Sequence, residues 1–183
     1  MMKRYLTMSL IALVVGLVSG CSDSPDKVFQ TIALNANKIP RGFERHFKEI
    51  RQQKANGTLQ TVDPETHQMK PGTASEFVEY FYGKTFDEDI KKVTALKDTE
   101  EVKPIKEAAL EMFKYADDIY KTDFPKIAKM IDDGAPDEKV DEAVADLEVK
   151  KGEELYTKYE ATMKLIVPYA DKHGVEYKTI SMP

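Results

Sequence analysis

The sequence predicts an all-α protein: an antiparallel bundle of about four main helices, kinked by proline, with a small loop or β-hairpin excursion near residues 57–72. Three observations carry this. Beyond residue 24, apolar side chains recur at spacings of three and four, the repeat of one helix face. Proline, glycine and Ser/Thr/Asp fall where helices start, bend and stop. Hydrophobic residues make up 42% of the chain and charged ones 32%, enough for both a buried core and a solvated exterior. Long parts of the pattern approach a heptad, but Pro40, Pro125 and Gly152 interrupt it. A globular bundle follows rather than an extended coiled coil.

The first helix starts at Ser24-Pro25-Asp26. Ser24 suits the N-cap, Pro25 the first helical position and Asp26 the positive end of the dipole. Val28, Ile32, Ala36, Ile39, Phe43, Phe47 and Ile50 form its apolar stripe, and Pro40 should kink or break it near Ile39. Residues 56–73 have no helical stripe. "TLQTV" reads as a short strand, "DPET" as a type I turn and "HQMK" as the return strand.

Thr73 or Ser75 caps the next segment, in which Phe77, Val78, Tyr80 and Phe81 make a short apolar helix ended by Gly83. Thr85 and Glu88 have capping-box spacing for another, with Phe86, Ile90, Val93 and Leu96 as its inner face. The clearest stripe runs Val102, Ile105, Ala109, Met112, Ala116, Ile119, Phe124, Ile127 and Ile131. Pro125 should bend that helix and Gly134 should end it. The last helix opens at Pro136-Asp137-Glu138 and closes at Gly174. Val140, Val144, Leu147, Leu155, Tyr159, Met163 and Ile166 mark its inner face, Gly152 weakens its middle and Pro168 bends its end. The link "GAPDE" is short, so the two long helices should be antiparallel neighbours.

The first 21 residues have a different character. Lys3 and Arg4 precede an uncharged core, Leu10–Val18, and the small pair Ser19-Gly20 leads to Cys21, the one cysteine of the chain. A basic start, a short apolar core and small residues at the cut describe a secretory signal, and the core is too short for an ordinary membrane-spanning helix. Val18-Ser19-Gly20-Cys21 resembles the lipobox of bacterial lipoproteins. The resemblance implies cleavage between Gly20 and Cys21, a diacylglycerol on the Cys21 sulfur and an N-acyl chain on the new terminus. Two or three acyl chains give durable attachment to a bilayer, where one gives only marginal binding. Ser22 follows the cysteine where inner-membrane lipoproteins of enteric type carry Asp. In a Gram-negative host this implies an outer-membrane protein facing the periplasm.

The expected organisation is a signal peptide over 1–20, a lipidated cysteine and very short tether over 21–24, one helical domain over 25–174 and an extended tail over 175–183. Removing residues 1–20 takes Lys3 and Arg4 with it, so 27 basic residues fall to 25 against 32 acidic ones, and the formal charge moves from −5 to −7. An acidic chain disfavours nucleic acid and anionic headgroups. With its only thiol acylated, the mature chain has no disulfide, zinc-thiolate site or cysteine nucleophile.

Chemistry-bearing motifs are sparse. His46 and Glu49 are three apart on one helix, but the Glu-x-x-His pairs of di-iron bundles are missing; His67 lies in a loop and His173 at a helix end. Asp87-Glu88-Asp89, Asp117-Asp118 and Asp132-Asp133 lack the spacing of a calcium loop and read as solvated helix faces. No nucleophile-elbow, phosphate-loop or dinucleotide motif occurs. The expectation is therefore a non-enzymatic protein with no catalytic residue, metal or cofactor, whose contacts are the bilayer through Cys21 and an envelope protein partner, in envelope maintenance or toxin inhibition. Tyr115, Tyr120, Tyr156, Tyr159 and His67 are the candidate partner contacts, since tyrosine is enriched in interface hot spots. The alternative is a small-ligand-binding lipoprotein with a pocket between kinked helices.

Overall fold

A computed structural model describes residues 22–178. The signal segment, Gly20 and Cys21 lie outside the described residues, as do the last five residues of the expected tail. The structure is mostly helical, 68% helix and 4% strand, as the apolar periodicity requires. Its elements are α1 (Pro25–Phe29), α2 (Glu44–Ala55), β1 (Gln60–Val62), β2 (Met69–Pro71), α3 (Ala74–Phe81), α4 (Asp87–Thr94), α5 (Val102–Thr122), α6 (Phe124–Asp132), α7 (Asp137–Leu147) and α8 (Glu153–Lys172). Two π-helical turns are inserted, Gln30–Leu34 after α1 and Glu148–Gly152 between α7 and α8.

The long expected helices are present but divided at the residues that disfavour them. The first ends near Ala36, and α2 begins only after Pro40 has been passed. The longest divides at Asp123, which leaves Pro125 in the first turn of α6, where its missing N–H costs nothing. The last divides at the Gly152 π-turn, while Pro168 is carried inside α8 without ending it. Gly134 and Gly174 follow α6 and α8 with φ of +75° and +68°, the left-handed geometry of a helix stop. Ser24 caps α1 by accepting from the Lys27 amide at 3.3 Å, with Pro25 at the first turn as expected. The Thr85–Glu88 capping box does not form: α4 starts from Phe86, and the Thr85 hydroxyl donates back to the Phe81 carbonyl at 3.0 Å.

Charge pairs between the helices register their directions. Lys158 with Glu111, Lys151 with Asp118 at 2.9 Å, and Lys172 with Glu101 set α8 antiparallel to α5. Lys121 with Asp87 at 2.6 Å and Lys106 with the Leu96 carbonyl at 2.7 Å set α4 antiparallel to α5 as well. With α1 against α8, these helices make a four-membered bundle. Beyond it, α2, α3, α6 and α7 pack together, reached by the continuations of α5 into α6 and of α7 into α8. The hairpin joins that second group through α3, pairing antiparallel with Gln60 opposite Pro71 and Val62 opposite Met69. One continuous buried cluster runs through both groups, from Val28 and Ala170 to Phe47, Val78 and Ile131.

Candidate functional site

The densest aromatic cluster lies where α2, the end of α3, the end of α5 and the start of α6 meet. Phe124 is central: its ring centroid is 4.5 Å from Tyr120, 4.8 Å from Phe47, 5.3 Å from Tyr82, 5.6 Å from Phe43 and 5.8 Å from His46. His46 Nδ1 lies 2.9 Å from the Tyr82 hydroxyl. Burial pushes the His46 imidazole below its ordinary range, against a smaller upward pull from Glu49. Burial, helped by the Glu49 charge, pushes the Tyr82 phenol up to about 12, and burial raises Tyr120 too. At neutral pH all three are uncharged. The His46–Tyr82 pair is a neutral hydrogen bond in a cage of rings, and it holds α2 against α3.

The tyrosines singled out from the sequence do not share one surface. Tyr120 is 2% exposed and belongs to this cluster. Tyr115, five residues earlier, faces α8: its hydroxyl donates to Glu154 at 3.0 Å and Lys158 Nζ stands 5.2 Å from its ring centre. Tyr156 and Tyr159 stack on each other, 6.0 Å between centroids, with Tyr156 on the outside and Tyr159 half-buried. His67 sits at the hairpin turn with φ of +56°, its amide donating to Asp63 at 2.9 Å, and its side chain is exposed. The same turn is built by Asp63, whose Oδ1 accepts from the Glu65 and Thr66 amides at 3.0 and 2.9 Å.

Helix α3 carries a patch whose role the sequence did not single out. Phe77 packs on Phe81 at 4.6 Å and Phe81 on Tyr80 at 5.0 Å, and Tyr80 and Phe81 are 51% and 42% exposed. The signal was present: five apolar residues among the eight of α3 exceed what one buried face uses. Val78 takes the inner position and leaves the rings of Tyr80 and Phe81 outside.

Two carboxylates expected on solvated faces, Asp132 and Asp89, have structural work instead, as does Glu148. Asp132 accepts from the Ala74 and Ser75 amides, both at 2.8 Å, and caps α3 from the end of α6. Asp89 is 1% exposed and bonded to Lys38 at 2.6 Å. Glu148 accepts from the Phe43 amide at 2.9 Å and so caps α2 across the fold. Among the described residues no group of three or more His, Cys, Asp or Glu is arranged to hold a metal ion. Of the surface depressions, one of ≈ 200 Å³ lies between Arg51, Lys54 and Val140, and its two cations are already paired with Asp137, Asp141 and Asp132. Another is an open groove along Asp171 and the tail, Val175 to Lys178.

Comparison with protein-family models, with curated proteins and with solved structures gives no match to this chain.

Proposed function

We propose that this is a lipid-anchored protein of the bacterial cell envelope that acts by binding another protein and performs no chemistry of its own. The observation that carries the reading is Val18-Ser19-Gly20-Cys21 behind a basic start and a short apolar core, with the helical stripe beginning only a few residues later. The anchor is diacylglycerol and an N-acyl chain on Cys21; with Ser22 next, the location in a Gram-negative host is the outer membrane, facing the periplasm. The exposed Tyr80–Phe81 face supports protein binding, because aromatic residues outside the core are characteristic of contact surfaces. Small-ligand binding draws no comparable support from an ion-paired notch and an open groove.

The test is purification of the acylated protein from its own membranes, with Cys21→Ala as control, followed by mass spectrometry of the chain and its companions. The expected result is a mature chain starting at a lipid-modified Cys21, and one partner protein whose recovery drops in both the Cys21→Ala and Tyr80→Ala/Phe81→Ser forms. A small molecule recovered with both anchored and unanchored forms, and no protein, would replace this reading with ligand binding.

A further inference from the structure

The fold holds the start of its helical body in place from residue 23 onward. Asp23, two residues after Cys21, is locked to the bundle: Oδ2 accepts from the Lys97 amide at 2.7 Å, Oδ1 pairs with Lys27 at 2.6 Å, and its side chain is 8% exposed. Ser24 caps α1 next to it, and Phe29 stacks on Tyr177 of the tail at 4.9 Å. The same end of the bundle gathers the loop 97–101, the start of α5 and the end of α8, tied by Glu101 to Lys172 and to His173 at 2.8 Å. The two chain steps from Cys21 through Ser22 to Asp23 span at most about 7 Å. Helix α5 leaves this end and runs 21 residues, roughly 30 Å, before α6 and the aromatic cluster begin.

We infer that the end formed by Asp23, Lys97, Glu101 and Lys172 rests on phospholipid headgroups, and that the bundle stands end-on, holding the Tyr80–Phe81 face some tens of ångströms from the bilayer. This rests on the acylation of Cys21 proposed above. The acidic side chains along α5 and α8 do not select the posture, because Glu107, Glu111, Asp118 and Glu154 are paired with Lys103, Lys158 and Lys151; the selecting feature is the short link to a fixed Asp23.

The experiment uses the acylated full chain in phosphatidylcholine vesicles that carry a headgroup nitroxide. A fluorophore is placed on Lys97→Cys or on Thr122→Cys, both exposed positions, the second at the far end of α5. Acylated Cys21 leaves the new thiol as the only reactive one. Flotation of the vesicles reads the anchor, and quenching reads the posture. Expected are flotation of both variants and several-fold stronger quenching at 97 than at 122. A flexible Gly-Ser insertion between Ser22 and Asp23 should preserve flotation and erase the difference. Flotation with equal quenching at the two sites, or none at either, overturns the end-on posture alone. Failure to float overturns the anchor, and the posture falls with it.

Discussion

At the level of single residues, Gly152 shows why a helix tolerates glycine at its centre. A Cβ there would stand 2.2 Å from Glu148 Oε1 and 2.6 Å from its Cδ, so the carboxylate occupies the space a side chain would need. From that position it caps the Phe43 amide at 2.9 Å and orders the start of α2. Two effects oppose each other in Gly152→Ala. Alanine gains about 1 kcal/mol of helix propensity over glycine. Expelling Glu148 from its cap costs about 1–2 kcal/mol. The substitution should therefore be neutral or mildly destabilising in the natural chain, yet stabilising by about 1 kcal/mol once Glu148→Ala has already removed the carboxylate. Urea melts of the four proteins in that cycle measure the coupling. Equal effects of Gly152→Ala in both backgrounds would show that the carboxylate does not need the glycine.

Among the elements, α3 is the one whose stability is supplied most visibly from elsewhere. It is eight residues long, too short to persist alone in water. Its first amides are satisfied from two sources: Thr73 and Glu76 form a capping box, and Asp132 of α6 takes the Ala74 and Ser75 amides. Burial alone raises the Asp132 carboxyl, but hydrogen bonds from Ser75 and Ala74 together with Lys54 outweigh it and hold the group below the usual carboxylate range. Asp132→Ala should cost about 1–2 kcal/mol. Amide exchange in α3 and the hairpin should quicken before that in α5 and α8, because the lost bonds are local. Uniform quickening throughout would mean that α3 unfolds only with the whole molecule. The Thr73 cap, the hairpin and the stripes of α1, α2, α5 and α8 were legible because each is written within a few residues of itself. Asp132, Glu148 and Asp89 were not: their partners lie 58, 105 and 51 residues away, and a helical acidic residue reads as solvated until the fold supplies its partner. The Thr85–Glu88 box failed for the converse reason, since a correct spacing lost to a nearer acceptor, the Phe81 carbonyl. Of the candidate surface, tyrosine counting located the rings but not which of them face outward. Tyr115 and Tyr120 are near neighbours in sequence on opposite sides of α5.

Across the whole molecule, the titrating groups make the fold sensitive to acid in two steps. His46 is held neutral by burial, so its folded pKa lies below the ordinary value of about 6.5. As pH falls through 6.5 the unfolded chain takes up a proton that the folded chain refuses, and stability declines. Asp132, Asp123 and Asp23 are held below the usual carboxylate range; their contribution is complete above an unfolded pKa near 4 and is lost as pH falls further. On the alkaline side, Tyr82 titrates near 12 in the fold against about 10 unfolded, so its contribution is whole below pH 10 and fades above it. Stability should therefore form a plateau from about pH 7 to 9. Urea midpoints measured from pH 8 down to 4 should begin to fall already between 7 and 5.5 in the natural chain. His46→Phe keeps the ring against Phe124 and Tyr120 but removes the titrating nitrogen, and should hold its midpoint until the carboxylates protonate. The early step then belongs to the α2–α3 contact where His46 meets Tyr82, the region that orders the end of the exposed Tyr80–Phe81 helix. If both proteins stay flat to pH 5, the imidazole is not kept neutral by the cage. If both fall together, the early step lies in another group, and the aromatic cluster is acid-resistant.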